Sequence, residues 1–168
     1  PFMWSNYPKA LSYPQRPFHL FFRNSLWYTF AATLGTVVSS AFVAFGFSRV
    51  EWPWRDRVFV LVLATMMLPS QVTLIPRYVV FKELGWLNSF KPLIVPAWLG
   101  GAFNIFLLRQ FFMTIPRELD EAAILDGCDY FSILWRIIVP LSKPALVTVV
   151  AFSIVATWNA FLGPLLYL

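Results

Sequence analysis

The stretch NSLWYTFAATLGTVVSSAFVAFGFS, residues 24–48, decides the class of fold to which this chain belongs. It carries no charged side chain and is flanked by Arg23 and Arg49. A helix rises about 1.5 Å per residue, so this stretch is long enough to cross the roughly 30 Å hydrocarbon core of a bilayer. It therefore predicts a membrane-spanning helix.

The composition extends this prediction to the rest of the chain. Of its 168 residues, 59% are hydrophobic and 12% are charged, and the mean hydropathy is +0.67. Soluble domains usually carry about twice this share of charge, which excludes a water-soluble globule. The chain has one cysteine, Cys128, and one histidine, His19. These numbers exclude an intrachain disulfide and the usual Cys/His metal cluster. The net charge of +5 fits a protein beside anionic lipid.

Further apolar stretches predict three more spans, and together with the first they give an all-α, polytopic membrane protein. They lie at residues 58–81, 92–112 and 144–168. The second span contains Pro69 and Pro76, so we expect it to be kinked. The third span is short unless Arg109 snorkels to the membrane surface and the helix continues to Phe112. Four spans place both ends of the chain on one side of the membrane, but the basic residues divide almost equally between the two sides and do not orient it.

The loop at residues 113–143 is predicted to fold into two short helices. Pro116 can open the first helix and Gly127 can end it. Asp129 can cap the second helix, and Pro140 can stop it. Its residues alone leave two interpretations open: a hairpin lying on the membrane surface, or a docking surface for a partner protein.

A motif in this loop resembles that of a known family. Glu121-Ala122-Ala123, followed by Gly127 and then by Ile137, Val139 and Pro140, matches the EAA motif of the membrane subunits of binding-protein-dependent ABC importers. Four flanking segments support the match: residues 106–112, 115–119, 141–144 and 158–161. The chain resembles the carbohydrate branch of these permeases, in particular the second maltose-type membrane subunit. This resemblance implies a type I ABC importer permease fold, with four of the family's usual six spans present here.

The resemblance also implies an orientation, partners and coupling residues. Residues 1–23 would be extracytoplasmic and residues 24–168 would form the permease domain in the inner membrane, with the loop at 113–143 in the cytoplasm. The coupling residues facing the ATPase would be Glu121, Ala122, Ala123, Asp126 and Gly127. Expected partners are a second homologous permease, two ATPase subunits and an extracytoplasmic sugar-binding protein.

The chain lacks an ATP-binding motif of its own. No Gly is followed by Lys, so the phosphate-binding sequence G-x-x-x-x-G-K-[ST] is missing. We therefore expect no enzymatic activity and no cofactor in this chain, with ATP and Mg²⁺ held by the partner ATPase. Since the sequence begins with Pro1 and not with Met, we also expect it to be part of a longer protein.

Three polar or aromatic residues inside the spans are candidates for the substrate path: Gln71, Trp158 and Asn159. An amide in hydrocarbon is costly unless it is hydrogen-bonded, and a sugar could supply those bonds while stacking on Trp158. A hydrogen bond between helices explains the same residues equally well. A stripe along one face of the first span has the same two interpretations, helix packing or channel lining: Ser25, Thr29, Thr33, Thr36 and Ser40.

The function predicted from the sequence is thus import of a sugar by a permease subunit. Two alternatives stay open, a glycerol-3-phosphate importer subunit and a membrane anchor that does not transport. A phosphorylated substrate would favour basic groups in the path, and the sequence places none well inside a span.

Overall fold

The computed structural model describes residues 3–11 and 18–168, and the regular structure in these two ranges is helical. Residues 1–2 and 12–17 lie outside it, so the segment 1–23 is covered in part. The helices are α1 (Asn6–Leu11), α2 (Phe18–Ser48), α3 (Arg55–Ala64), α4 (Ser70–Glu83), α5 (Lys91–Ile94), α6 (Ala102–Thr114), α7 (Glu118–Leu125), α8 (Tyr130–Ile133), α9 (Val139–Leu141), α10 (Lys143–Trp158) and α11 (Leu162–Tyr167). Three tighter or wider helical turns extend them: the 3₁₀ turns Thr65–Met67 and Val95–Leu99 and the π turn Leu134–Ile138.

Helix α2 is the central element, because α6, α10 and the 3₁₀ turn Val95–Leu99 all pack against it. It confirms the first predicted span but begins at Phe18, so the boundary that we placed between residues 23 and 24 falls inside a helix. The helix continues through the exposed Arg23, since a long basic side chain can lay its stem along apolar surface and keep its charge in water.

Small residues along α2 let its neighbours approach closely. The indole ring of Trp98 lies 2.4 Å from the point where a Cβ on Gly35 would stand. Thr29, Thr33 and Ser40 of the polar stripe are buried, and no described residue accepts or donates a hydrogen bond at their hydroxyl groups. Their burial favours helix packing as the role of this stripe.

The second predicted span is broken. Helix α3 with its 3₁₀ extension and helix α4 meet at 97° across a break at Leu68 and Pro69. Leu68 has an extended ψ of 116°, as expected of a residue that precedes proline. Pro76, in contrast, is accommodated inside α4. The predicted kink is therefore confirmed at Pro69, and the angle makes this pair a broken span or a re-entrant loop.

The third predicted span corresponds to residues 91–114, which are long and apolar enough to cross a membrane. Its last part, α6, runs through Phe112 as predicted and ends two residues later, at Thr114. The Nε of Arg109 donates to the carbonyl oxygen of Phe47 at 3.1 Å, and its guanidinium lies 4.1 Å from the centre of the Phe59 ring, while its snorkelling to the membrane surface stays a prediction. The side chain packs against protein because the end of α2 offers it a carbonyl oxygen and α3 offers it an aromatic face.

The fourth predicted span begins as expected and ends early. Helix α10 starts at Lys143, with Pro144 in its first turn, but it stops at Trp158 instead of running to Leu168. At the stop, the Asn159 side chain donates from Nδ2 to the carbonyl oxygen of Val155 at 2.8 Å. Such a local bond competes with continuation of the helix, and α11 resumes only at Leu162.

The hydrophobic core joins the C-terminal ends of α2 and α6 and the N-terminal end of α10 to the loop that follows α6. Its fully buried members include Leu108, Phe112, Ile133, Ile138 and Val149. The loop is therefore part of the folded body and not a mobile connection.

Candidate functional site

Helix α7 carries the motif that the sequence analysis singled out. Its first turn holds Glu118, Asp120 and Glu121, whose negative charges are favourable at a helix N-terminus. It begins two residues after Pro116, so that proline precedes the helix and does not occupy its first turn.

Gly127 ends α7 as predicted, with a φ of +82° that side chains with a Cβ rarely adopt. The Gly127 N–H donates to the Ile124 carbonyl at 3.0 Å and the Cys128 N–H to the Ala123 carbonyl at 2.9 Å. These two bonds are the Schellman motif, and they turn the chain sharply after Asp126.

The two alanines of the motif differ in burial. Ala123 is buried in the chain's own hydrophobic core, whereas Ala122 is exposed. Ala123 packs inside this chain, so Ala122 is the more accessible of the two alanines, and contact of either one with an ATPase stays a prediction. Glu121 is exposed next to Ala122, Asp126 is exposed at the helix end, and Leu125 is 89% exposed.

The segment after α7 fixes the loop to the bundle. Asp129 caps α8 as predicted, and its Oδ1 accepts a hydrogen bond from the Ser132 N–H at 3.0 Å. The hydrogen bonds from the Ser132 side chain and backbone hold the pKa of Asp129 below its ordinary value. Ile133, Leu134 and Ile138 are buried on the same segment.

Pro140 does not stop this second helix, contrary to the prediction. The helical path continues through Pro140 to Leu141, directly after the π turn Leu134–Ile138. The wider π turn makes room for the proline ring, which would collide with the preceding turn of a regular α-helix. The direction changes only at Ser142, where the segment 130–141 and α10 meet at 81°.

Arg49 holds α7 from the end of α2. Its Nη1 lies 2.9 Å from Oδ2 of Asp120, and its Nη2 donates to the carbonyl oxygen of Ile115 at 2.7 Å and to that of Phe112. These carbonyls belong to the end of α6 and the turn after it. One guanidinium group thus binds three consecutive parts of the chain at the base of the motif helix.

Two exposed ion pairs lie beside this cluster and join the same two regions. Arg117 Nη1 is 3.0 Å from Glu51 Oε1, and Arg109 Nη2 is 3.3 Å from Asp56 Oδ1. All three pairs connect residues 49–56, which comprise the loop after α2 and the start of α3, to residues 109–120. We refer to Arg49 with Asp120 as the buried pair.

The sequence analysis missed this cluster. Arg49 served there only as the charged boundary of a span, and Asp120 was not singled out. A basic residue directly after a long uncharged run was the available signal. The sequence offered no means of choosing its partner among the acids of the loop.

The substrate-path candidates lie in different environments. Trp158 lines an apolar cleft of about 440 Å³ between α2 and α10, together with Thr29 and Thr33. Asn159, next to it, is exposed and bonded within its own helix. Gln71 lines a separate groove of about 180 Å³ between α4 and α11. The structure therefore does not bring Gln71 and Trp158 into one pocket.

Comparison with known proteins identifies the family. The family model described as the inner membrane component of binding-protein-dependent transport systems matches residues 36–168. The chain belongs to this family. The resemblance drawn from the EAA motif is thus confirmed, and so is an inner-membrane, multi-pass location.

Individual members of the family give the same result. The chain is 37% identical over 152 residues to a polygalacturonan/rhamnogalacturonan transport system permease of Bacillus subtilis, covering 89% of this chain and 52% of that protein. It is 35% identical over 170 residues to an sn-glycerol-3-phosphate transport system permease of Yersinia enterocolitica, covering 99% and 60%. The chain therefore spans a little over half the length of these permeases.

A solved structure confirms the fold. The chain superposes on a crystal structure of a bacterial ABC transporter involved in the import of the acidic polysaccharide alginate, with a TM-score of 0.80 and 27% sequence identity. The match covers 87% of this chain and 51% of that one. The chain thus has the helical fold of an ABC importer permease.

Proposed function

We propose that this chain forms part of the transmembrane path of an ATP-driven sugar importer and is moved by a partner ATPase through α7. The observation that carries the proposal is the motif helix itself. Its outer surface exposes Glu121, Ala122 and Leu125, while Ala123 and Asp120 anchor its inner surface to the bundle. A short helix that is exposed on one side and fixed on the other suits transmission of force from a docked partner.

The proposed mechanism is alternating access. Closure of two ATPase subunits on ATP and Mg²⁺ would push α7, and the chain's own part is to pass this displacement to its spans. The buried pair carries the motion to α2, and the Arg49 bonds to the Phe112 and Ile115 carbonyls carry it to α6. ATP binding and hydrolysis belong to the ATPase, since this chain has no phosphate-binding loop.

The proposed assembly follows from the family's description as binding-protein-dependent. This chain would pair with a second homologous permease, two ATPase subunits and an extracytoplasmic sugar-binding protein. The α7 end would face the cytoplasm, and the turn between α4 and α5 would face the binding protein. Residues 3–11 would lie on that same outer side.

A sugar is the proposed cargo, and glycerol-3-phosphate is the second candidate. The transport permeases named above carry polygalacturonan or rhamnogalacturonan in one case and sn-glycerol-3-phosphate in the other. Membership of a transport family weighs against a membrane anchor that does not transport.

The test is reconstitution with the partner proteins encoded beside this gene. We expect the chain to co-purify from detergent with an ATPase and a second permease, and to give ATP-dependent sugar uptake in proteoliposomes when the binding protein is added. Omitting the binding protein is the control and should abolish uptake. A complex that hydrolyses ATP but moves neither sugar nor glycerol-3-phosphate would contradict the proposal.

A further inference from the structure

The groove between α4 and α11 combines polar groups with one basic side chain. It has a volume of about 180 Å³ and is lined by Ser70, Gln71, Arg77 and Tyr167, with Leu162 and Leu166 on the α11 side. None of the groove-lining residues is acidic. The sequence analysis found no basic group well inside a span, but Arg77 lies in the middle of α4, half a helix away from either end.

Most of the N–H donors of Arg77 are not used within the described part of the chain. Its Nη2 donates to the Thr73 hydroxyl at 3.3 Å, and within residues 3–11 and 18–168 it forms no ion pair. A guanidinium carries five N–H donors in a planar fork that fits a carboxylate or phosphate. The remaining donors are therefore available to an anionic ligand in the groove.

Aromatic packing fixes the walls of the groove. The Tyr167 ring lies 6.3 Å from the Tyr78 ring and 5.3 Å from the Phe81 ring, which are both on α4. The Asn88 N–H donates to the Tyr167 carbonyl at 2.7 Å and ties α11 to the turn after α4. A site with fixed walls loses less conformational entropy when a ligand binds.

The groove also lies beside both helix breaks. Helix α4 follows the break at Pro69, and α11 follows the break at residues 159–161. Non-helical backbone at membrane depth is tolerated where it is buried in protein or lines a cavity, and interrupted helices commonly form the binding sites of transporters. Two interruptions next to one polar groove point to a ligand path at this place.

We propose that this groove binds the anionic group of the cargo, a carboxylate or a phosphate monoester on a hydroxylated molecule. Arg77 pairs with the anion, while the Gln71 amide and the Ser70 hydroxyl bond to neighbouring hydroxyl groups of the ligand. This inference rests on the proposed function and names the substrate class within it: the transporter takes an acidic sugar or a sugar-like phosphate in preference to a neutral sugar.

The experiment measures ATP-dependent uptake by the reconstituted complex with four probes. These are digalacturonate, sn-glycerol-3-phosphate, and their neutral counterparts digalactose and glycerol. We compare the wild type with Arg77→Gln, which removes the charge, and with Arg77→Lys, which keeps it. The matched control is Lys82→Gln, because Lys82 is an exposed basic residue on the same helix but does not line the groove.

We expect the wild type to import one of the two anionic probes and Arg77→Gln to raise its half-saturating concentration about tenfold, as loss of a charge-assisted hydrogen bond predicts. Arg77→Lys should recover part of this loss, and Lys82→Gln should match the wild type. The anionic probe that is imported distinguishes a carboxylate from a phosphate as the recognised group.

Three results would overturn the inference. One is import of a neutral probe alone by the wild type, which would leave the proposed function standing. Another is an equal loss of uptake of the charged and the neutral probes in Arg77→Gln, together with a lower thermal midpoint. That result would show that Arg77 is a structural residue. Absence of uptake for every probe would overturn the proposed function and this inference together.

Discussion

Arg49 and Asp120 form a buried ion pair that joins the end of the central helix α2 to the motif helix α7, with 2.9 Å between Nη1 and Oδ2. Their side chains are 3% and 15% exposed. The same guanidinium binds the carbonyl oxygens of Phe112 and Ile115, so the position of α7 is tied to both α2 and α6. A displacement of α7 must either break these bonds or move both spans.

The first prediction concerns this pair. Arg49→Met leaves a buried carboxylate without its partner, and breaking one side of such a pair costs about 3 kcal/mol or more. We expect a lower thermal midpoint and loss of uptake. Arg117→Gln is the control, because its ion pair with Glu51 is exposed and contributes less than about 1 kcal/mol.

A double variant separates stability from coupling. Arg49→Met combined with Asp120→Leu replaces the buried pair with apolar side chains, which can restore stability. We expect the double variant to regain most of its thermal midpoint while ATPase activity stays uncoupled from uptake. Full recovery of uptake in the double variant would show that the pair only stabilises the fold.

The physical signals in the sequence explain which elements it predicted. Long uncharged runs identified the spans, and Gly127 and Asp129 identified the helix end and helix cap of the loop, because each of these depends on local chemistry. The stop at Trp158 and the passage of the helix through Pro140 were not predicted, since they depend on the Asn159 side-chain bond and on the π turn. The partner of Arg49 depends on tertiary packing, which no local pattern encodes.

The second prediction concerns the exposed surface of α7. Glu121→Lys reverses a charge on the surface that we propose to face the ATPase, so we expect the ATPase to be lost during purification and uptake to fall. Membrane insertion should be unchanged, because Glu121 is exposed and forms no ion pair in the part of the chain that the structure describes. Normal co-purification and normal uptake would contradict docking at this surface.

Two substitutions at Gly127 test whether the sharp turn after α7 is needed for ATPase docking. Gly127→Val places a β-branched residue at a φ of +82°, whereas Gly127→Asn introduces a residue that tolerates this conformation. Nothing lies within 4 Å of the added Cβ, so the two variants differ in backbone strain and not in crowding. We expect Val to weaken ATPase binding and Asn to retain it. Equal behaviour of the two variants would exclude the sharp turn as a requirement.

The third prediction concerns orientation across the membrane. The natural Cys128 is half-buried, so it is a poor labelling probe. An exposed cysteine, Glu118→Cys in a Cys128→Ala background, shows more directly on which side of the membrane the loop lies. We expect a membrane-impermeant thiol reagent to label it only after the inner face is opened. Leu84→Cys, in the turn after α4, should react from outside in intact cells. If the reagent labels the Glu118 probe from outside but not the Leu84 probe, the orientation is the reverse of the one proposed.

The fourth prediction concerns the contact between α2 and Trp98. Gly35→Ala adds a Cβ at 2.4 Å from the indole ring, so the ring must move and we expect a cost of about 1–3 kcal/mol. Gly46→Ala on the same helix is the matched control: nothing lies within 4 Å of its added Cβ. Replacing this helical glycine with alanine should stabilise the folded protein by about 0.5–1 kcal/mol. The measurement is the thermal midpoint of the purified complex for each variant. Equal shifts in both variants would contradict a tight contact between Gly35 and Trp98.

The last prediction concerns Trp158 and Asn159, for which a place in the substrate path and a role in helix packing were both open. If the two residues line the path, Trp158→Phe and Asn159→Ala will raise the half-saturating substrate concentration while the thermal midpoint and basal ATPase activity stay near the wild-type values. Asn159 is exposed and Trp158 is 46% exposed, so neither substitution leaves a large cavity. Trp135→Phe, at a similarly exposed tryptophan that packs on Phe42 and Phe131, is the matched control and should leave uptake unchanged. A midpoint that falls in parallel with uptake would assign Trp158 and Asn159 to helix packing, and the substrate contacts would then lie elsewhere in the assembly.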